Sequence, residues 1–435
     1  MKRETTNTWT NWAGAQTCNP DLILRPSGLA ELAEVVGTAA ARGGQVTVAA
    51  SGHSFSGAAL TDDVMIDAGN FSGVIEADRS SGLVKVGGGT VLSDLNRELD
   101  RLGLAMPNLG DIDTQTISGA ISTGTHGTGA DLPNISAQVV AIDLLTADGE
   151  LQRLTADTPK KLRAARIAVG SLGVITAVTL KTVPAFNLHR IDSPMPLDEV
   201  LADFHELAAA NTHFEFFIFP YTRKALTIRR NRTSRPAAPR SKVESYLSDV
   251  VFENGIGDVV LRWSGRIPAS IPKIARFSGS AMNQAERVDV SHRVFANYRT
   301  IRFNEMEYAL PREAGPEALS RVLDLIETQR FPMGMPIECR VVAPDDALLS
   351  PAFDRPTTYI AIHQYRGMEF APYFEAIEEI FDSYGGRPHW GKRNTQTAAT
   401  LAPRYPEWDK FQEVRKKFDP DRVFSNEYVQ KVLGD

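Results

Sequence analysis

The sequence predicts an α+β protein of two domains, on three observations. Helix and strand signals alternate up to about residue 184, the texture changes after Pro184, and the glycine-rich segments fall in the first part. At 435 residues, 43% of them hydrophobic, the chain is long enough for two cores. The division expected is 1–184, then 185–400 on an antiparallel sheet, with 401–435 returning to the first domain.

The first helix is expected over 27–41, where Leu29, Leu32, Ala33, Val36 and Ala40 make an apolar face. Ser27 is its expected N-cap and Gly43-Gly44 its stop. QVTVAA then reads as a short strand running into SGHSFSG. A second strand over 82–86 ends in Gly87-Gly88-Gly89, and Thr90 is expected to cap a helix carrying Leu92, Leu95 and Leu99. Residues 106–137 are rich in Gly, Ser and Thr, with regular Ile and Leu among them, a pattern expected of a binding segment. VVAIDLLTADGELQRL reads as a hairpin turning at Asp148-Gly149, and GVITAVTLKTV as a further strand.

Beyond Pro184, FEFFIFPYTRKALTIRR reads as a strand pair and 235–242 as an exposed basic loop. MPIECRVVAPDD and TTYIAIHQY alternate as strands do, among the helical stretches PEALSRVLDLIETQ and APYFEAIEEIFDSYG. The polar, helix-like YPEWDKFQEVRKKFDP near the end needs a surface to pack on.

A formal charge of −6 with mixed signs argues against a nucleic-acid binder. MKRETTNTWTNW has no apolar h-region, and no apolar run is long enough to span a bilayer. Cys18 and Cys339 are too few for a disulfide framework or a zinc site, so no metal is expected and a cytoplasmic protein is the default.

Two segments point to a ligand. SGHSFSG follows a buried-looking strand, where Ser51, Gly52, Ser54 and Phe55 flank His53. Small residues there let backbone N–H groups approach a pyrophosphate, and the imidazole of His53 is a potential nucleophile. Alone, it also reads as a histidine in a turn. ISGAISTGTHGTGAD repeats the logic: Gly119, Gly124, Gly127 and Gly129 permit close approach, while Ser118, Ser122, Thr123 and Thr125 add hydroxyls. No Gly-Lys-Ser/Thr follows, and VGGGTVLSDL fails the G-x-G-x-x-G spacing. Two such nests suit one long dinucleotide such as FAD better than NAD.

SGHSFSG, PNLGDID, SGAISTGTHGTG, VGSLGVIT, the ECR of MPIECRVV, and RPHWGK stand here in the order found in vanillyl-alcohol-oxidase-type flavoproteins. Among them the chain resembles the aldonolactone oxidoreductases and, more distantly, alditol oxidase. The resemblance runs from NWAG at Asn11 to FSNEYVQKVLG. It implies the two-domain PCMH/VAO-type FAD-binding fold with a cap domain over the substrate. It further implies covalent FAD at His53, with Thr125, His126 and Gly127 along the pyrophosphate or the flavin ring. Gly173, Val174 and Ile175 would hold the adenine end.

Glu338 and Arg340, two apart on a strand, share one face; seen alone they are a surface ion pair. The resemblance places both in the substrate cavity, with Lys392 near the flavin N1–C2 carbonyl and His389 and Trp390 shaping that wall. His363 would face the same site, though a satisfied sheet histidine reads the same way. The implied chemistry is oxidation of a CH–OH group of a sugar 1,4-lactone such as L-gulono-1,4-lactone. Oxygen, a cytochrome or a quinone would reoxidise the flavin. Gly110 falls at the position that admits oxygen when small. Asp111 and Tyr365 differ from the Ser and Thr of alditol oxidase, which favours a lactone over an alditol. A flavin-free scaffold and an NAD-dependent dehydrogenase are the readings of other classes.

Overall fold

The structure is a computed structural model and describes residues 2–3, 8–241, 257–297 and 299–435. The α+β class is as expected. A small sheet near the amino end sets Leu22–Arg25 and Val46–Ala49 parallel on either side of Val64–Asp67. A five-stranded antiparallel sheet follows, in the order Leu151–Leu154, Val139–Leu145, Val174–Lys181, Leu83–Gly87, Val74–Asp78. The hairpin turn is where the sequence puts it, with Gly149 at φ +80°.

Two caps differ from expectation. The first helix is Leu29–Ala41 with Gly28 at the N-cap, and the Ser27 amide instead donates to Glu31 Oε2 at 2.8 Å. The second helix, Leu92–Arg101, starts from Val91. Thr90 Oγ1 is drawn off to the chain before it, donating to the Gly87 carbonyl at 2.6 Å and accepting from the Gly73 amide at 2.9 Å. A hydroxyl with a nearer backbone partner does not cap.

The largest element is an eight-stranded antiparallel sheet. Its order is Ala285–Val290, Asn187–Pro196, Lys224–Thr233, His213–Ile218, Ile337–Val342, Thr357–Tyr365, Phe303–Pro311, Arg387–Pro388. Strand periodicity gives its central strands two unlike faces. Phe214, Phe216, Met306, Tyr308, Ile337, Cys339, Ile360 and Ile362 all point into one apolar core. The helices Gly315–Gln329 and Ala371–Ser383 cover that face through Leu319, Val322, Ile326, Phe374 and Ile377. Each fully buried Phe or Ile there contributes roughly 1.5–3 kcal/mol over an exposed one. The alternate positions, Glu215, Glu305, Glu307, Glu338, Arg340 and His363, lie on the opposite face.

The polar stretch near the carboxyl end forms Trp408–Phe418, whose Trp408, Phe411, Val414 and Phe418 join the core around the helix Pro159–Arg166. Glu427–Leu433 follows, capped by Asn426, which accepts from the Val429 amide at 2.8 Å and donates to the Leu60 carbonyl at 2.8 Å. The basic loop is exposed from Arg235 to Ser241; its last expected residue, Lys242, lies outside the described residues. No helix among the described residues is long and apolar enough to cross a membrane.

Candidate active site

The polar face of the large sheet bounds a cavity of about 920 Å³. A second, narrow cavity of about 120 Å³ runs beneath the glycine-rich segments. His53, Ser54, Gln115 and Thr123 line both, so the two meet at His53.

The His53 loop is stitched down by backbone groups. Trp12 N–H donates to the Gly52 carbonyl at 2.8 Å, and Asn11 Nδ2 to the Ser54 carbonyl at 2.9 Å. Gly52 sits at φ +67° with its missing Cβ 3.0 Å from the Trp9 ring, so both conformation and space call for glycine. The Phe55 amide donates to the Gly391 carbonyl at 2.7 Å, which ties this loop to the one bearing Lys392. Burial, then the nearby Lys392, lowers the His53 pKa to about 4, so the imidazole is neutral at ordinary pH.

Arg340 is the hub of the wide cavity. Its Nε and Nη2 donate to Glu338 Oε1 at 2.6 and 2.5 Å, and Nε lies 3.2 Å from Glu215 Oε2. Glu215 is shared with Arg230 at 2.7 Å. Burial opposes the charge on Arg340, but Glu338 and Glu215 outweigh it and raise the pKa further. Glu338 has the weaker support: burial pushes its carboxyl up, Arg340 pulls against that, and Glu215 and Asp111 compete for the same guanidinium. A buried carboxylate raised in this way is a candidate proton acceptor. The pair read as a surface pair when seen alone is thus buried, each residue 7% exposed.

Two further carboxylates stand on the Phe303–Pro311 strand. Glu305 binds Lys392 Nζ through Oε2, and its Oε1 lies 3.6 Å from His363 Nε2. Burial alone would raise its pKa, yet Lys392 and His363 together outweigh burial and hold it at about 2. His363 Nδ1 donates to the Pro336 carbonyl at 2.8 Å. Burial lowers the His363 pKa, and Glu305 reverses this to a net rise. Glu307 Oε1 lies 3.1 Å from His126 Nε2, and His126 stacks on Tyr359 at 3.7 Å.

His126, Glu307 and His389 place ligand atoms within 4.8 Å of one another, a spacing open to a metal ion. His126 Nδ1 faces the Gly127 carbonyl at 2.8 Å, and His389 Nδ1 accepts from the Gly391 amide at 3.0 Å, which puts the His389 proton on Nε2. Burial lowers the His389 pKa to about 3.

Ser51, Gly52, His53, Ser54, Ser118, Gly119, Ser122, Gly173 and Ile175 line the narrow cavity. His53, Ser54, Phe55, Gly110, Thr125, His126, Glu338, Arg340, His363, His389 and Lys392 line the wide one. Gly124, Gly127, Gly129, Val174 and Trp390, all expected at the site, line neither: Trp390 is fully buried in the core, its Nε1 donating to the Leu349 carbonyl at 2.7 Å. Val174 is fully buried in the core behind the sheet, paired with Leu145. A Cβ on Gly127 would lie 2.2 Å from Asn108 Oδ1 and 2.3 Å from the Leu109 carbonyl, so its close approach is to protein rather than ligand. Tyr365 is also displaced: it points out to Asp258 at 2.8 Å, whereas Asp111 does line the cavity, paired with Arg299.

FAD fits these residues. Gln115 Oε1 and Ser425 Oγ, both on the narrow cavity, are buried with no hydrogen-bond partner among the described residues, as groups awaiting a polar ligand would be. The joined cavities would take an extended dinucleotide, its ring in the wide part beside His53, Gly110 and Lys392. Sequence reasoning missed Glu305, Glu307, Glu215, Thr114 and Ser425. Of these, Glu305 and Glu307 carried the same two-apart spacing that marked Glu338 and Arg340.

A family model described as D-arabinono-1,4-lactone oxidase matches residues 178–432, and one described as FAD binding domain matches 20–155. The chain is 47% identical to an L-gulono-1,4-lactone dehydrogenase of Mycobacterium tuberculosis over 98% of this chain and 99% of that one. It is 33% identical to the L-gulonolactone oxidase of Mus musculus, over 97% of each. An alditol oxidase of a Streptomyces species is 30% identical over 98% of each. Cholesterol oxidase from B. sterolicum superposes with a TM-score of 0.84 over 99% of this chain and 97% of that one, at 16% identity. That likeness shows the shared fold.

Proposed function

The chain belongs to the D-arabinono-1,4-lactone oxidase family, as an FAD-dependent oxidoreductase acting on CH–OH groups, and from that premise we propose that it oxidises L-gulono-1,4-lactone, or a close aldonolactone, at the C2 hydroxyl. The observation that carries this reading is the set of buried Arg340 and Glu338 with half-buried Lys392, which faces the cavity that His53 joins to the narrow one. The segments up to Pro184 hold the cofactor, and the eight-stranded sheet holds the substrate.

Bound FAD would supply the hydride acceptor for the carbon that bears the reacting hydroxyl. Arg340, kept charged by Glu338 and Glu215, binds the lactone oxygens and orients that carbon. Glu338, whose carboxyl burial pushes up against the pull of Arg340, accepts the hydroxyl proton. Lys392 holds positive charge beside the ring. His53, neutral at ordinary pH, would be the residue to hold the flavin covalently, through its 8α carbon. The product is a 2-keto lactone, which enolises to an ascorbate-type compound. Oxygen or a protein acceptor takes up the electrons. Two buried free thiols, Cys18 and Cys339, fit the reducing cytoplasm.

The test is anaerobic reduction of the yellow protein by gulono-, galactono- and arabinono-1,4-lactones against xylitol and sorbitol. Fastest reduction by a lactone supports the reading. Faster reduction by an alditol would replace it with alditol oxidation, and no reduction by any of the five would remove it.

A further inference from the structure

The His53 ring is held on a face and on an edge. It stacks on Trp12, with centroids 5.3 Å apart and planes 30° from parallel. Its Nε2 lies 2.8 Å from Thr114 Oγ1, across 61 residues of sequence. Its Nδ1 has no hydrogen-bond partner among the described residues.

A threonine hydroxyl can accept from Nε2–H or donate to a bare Nε2, and the two cases differ at the other nitrogen. If Thr114 donated, the ring proton would sit on Nδ1, where no protein acceptor meets it. If Thr114 accepts, Nδ1 carries only a lone pair. Folded chains leave an N–H without an acceptor more rarely than they leave an acceptor unfilled, so the second case is favoured. The lowered His53 pKa, about 4 from burial and then Lys392, agrees with a ring that carries one proton.

Building on the proposed bond between His53 and the flavin, we propose that Thr114 is the positioning residue for that bond, accepting the Nε2 proton so that Nδ1 is the nucleophile. The step forms the bond from Nδ1 to the 8α carbon and breaks one C–H bond of the 8α-methyl group. The proton of that C–H and the Nε2 proton leave. The electron pair of the broken C–H bond enters the ring, which is left reduced by two electrons. Molecular oxygen, as the two-electron oxidant, takes those electrons and two protons to give hydrogen peroxide. Trp12 keeps the ring in plane while this happens, and Thr114 acts only through His53.

The readout is the location of the flavin after the purified holoprotein is precipitated in acid, since bonded flavin stays in the pellet. Wild-type protein is expected to keep its colour in the pellet. Thr114→Val removes the hydroxyl at an exposed position. It is expected to carry one FAD per chain but to release most of it, the bonded fraction falling at least fivefold. Thr114→Ser, with its hydroxyl restored, is expected to bond flavin as the wild type does. A Val variant bonded to the wild-type extent overturns the role of Thr114 while leaving the His53 bond standing. A Ser variant that loses the bond overturns it too. Release of flavin by the wild type overturns the bond itself, and this inference with it.

Discussion

Glu305 and Lys392 form a partly buried ion pair on the wall of the wide cavity, the carboxylate on a strand of the large sheet and the ammonium on the loop that also packs against the His53 segment. Lys392 therefore presents a charge already offset in part by a fixed neighbour. Glu305→Gln would release it. The midpoint potential of the bound flavin should rise by on the order of 30 mV, the two-electron equivalent of about 1.4 kcal/mol. Spectroelectrochemical titration reads this directly. An unchanged potential would mean that Lys392 does not act on the flavin.

Arg340 makes its bonds to Glu338 and Glu215 through a planar fork that a lysine lacks. Arg340→Lys keeps the charge and loses that geometry. Stopped-flow reduction by lactone under anaerobic conditions should slow by about 10²-fold, with FAD retained. A rate within twofold of wild type would take Arg340 out of substrate orientation.

His389 gives a pH signature of defined sign. Its folded pKa, about 3, lies below its ordinary value of 6.5, so the unfolded chain binds the extra proton first as pH falls. The stability this neutral imidazole contributes is complete above about pH 6.5 and drains away between there and pH 3. His389→Asn keeps an acceptor for the Gly391 amide but cannot titrate. The acid side of its melting-temperature profile should be flatter than that of wild type, and parallel profiles would contradict the assignment.

Gly110 has an ordinary φ, so its lack of a side chain concerns space. A Cβ there would stand 3.4 Å from both the His126 carbonyl and Thr125 Cγ2, tight but tolerable. In Gly110→Ala the turnover with oxygen relative to an artificial acceptor should fall about tenfold. Should the ratio hold, oxygen does not reach the flavin past this residue.

Gly127 should behave as a packing position. Its substitution by Ala drives a methyl into Asn108 and the Leu109 carbonyl, and about 3 kcal/mol of stability should be lost. Denaturant unfolding tests this. A near-neutral result would show that the 106–137 segment yields easily, and would return Gly127 to the list of ligand contacts.

The sequence was most legible where small residues cluster on a loop. The segments around His53 and Gly119 stand out because close backbone approach excludes side chains, and both reach the cavities. Val174 and Gly127 were misplaced by inheritance from their neighbours: each belongs to a motif, but one points to the core and the other packs on Asn108. Glu305 and Glu307 were hidden in strand texture, since alternation shows that NEMEYAL has two faces without saying which is wet. Thr114 and Trp12 were out of reach, because their role lies in contact with His53. The missed caps at Ser27 and Thr90 share this cause, as a rival partner for each group comes from the folded chain.

The division of the large sheet into a dry face and a charged face makes the site a matter of parity. Glu305 and Glu307 share one side, and Met306 and Tyr308 share the other. A single residue inserted or deleted within a central strand would send carboxylates into the core and aromatics into the cavity, losing fold and chemistry together. Substitution at alternate positions disturbs only one of the two. New substrate preferences on this scaffold are therefore open to point changes and closed to changes in strand length, so variation in chain length should be confined to the loops.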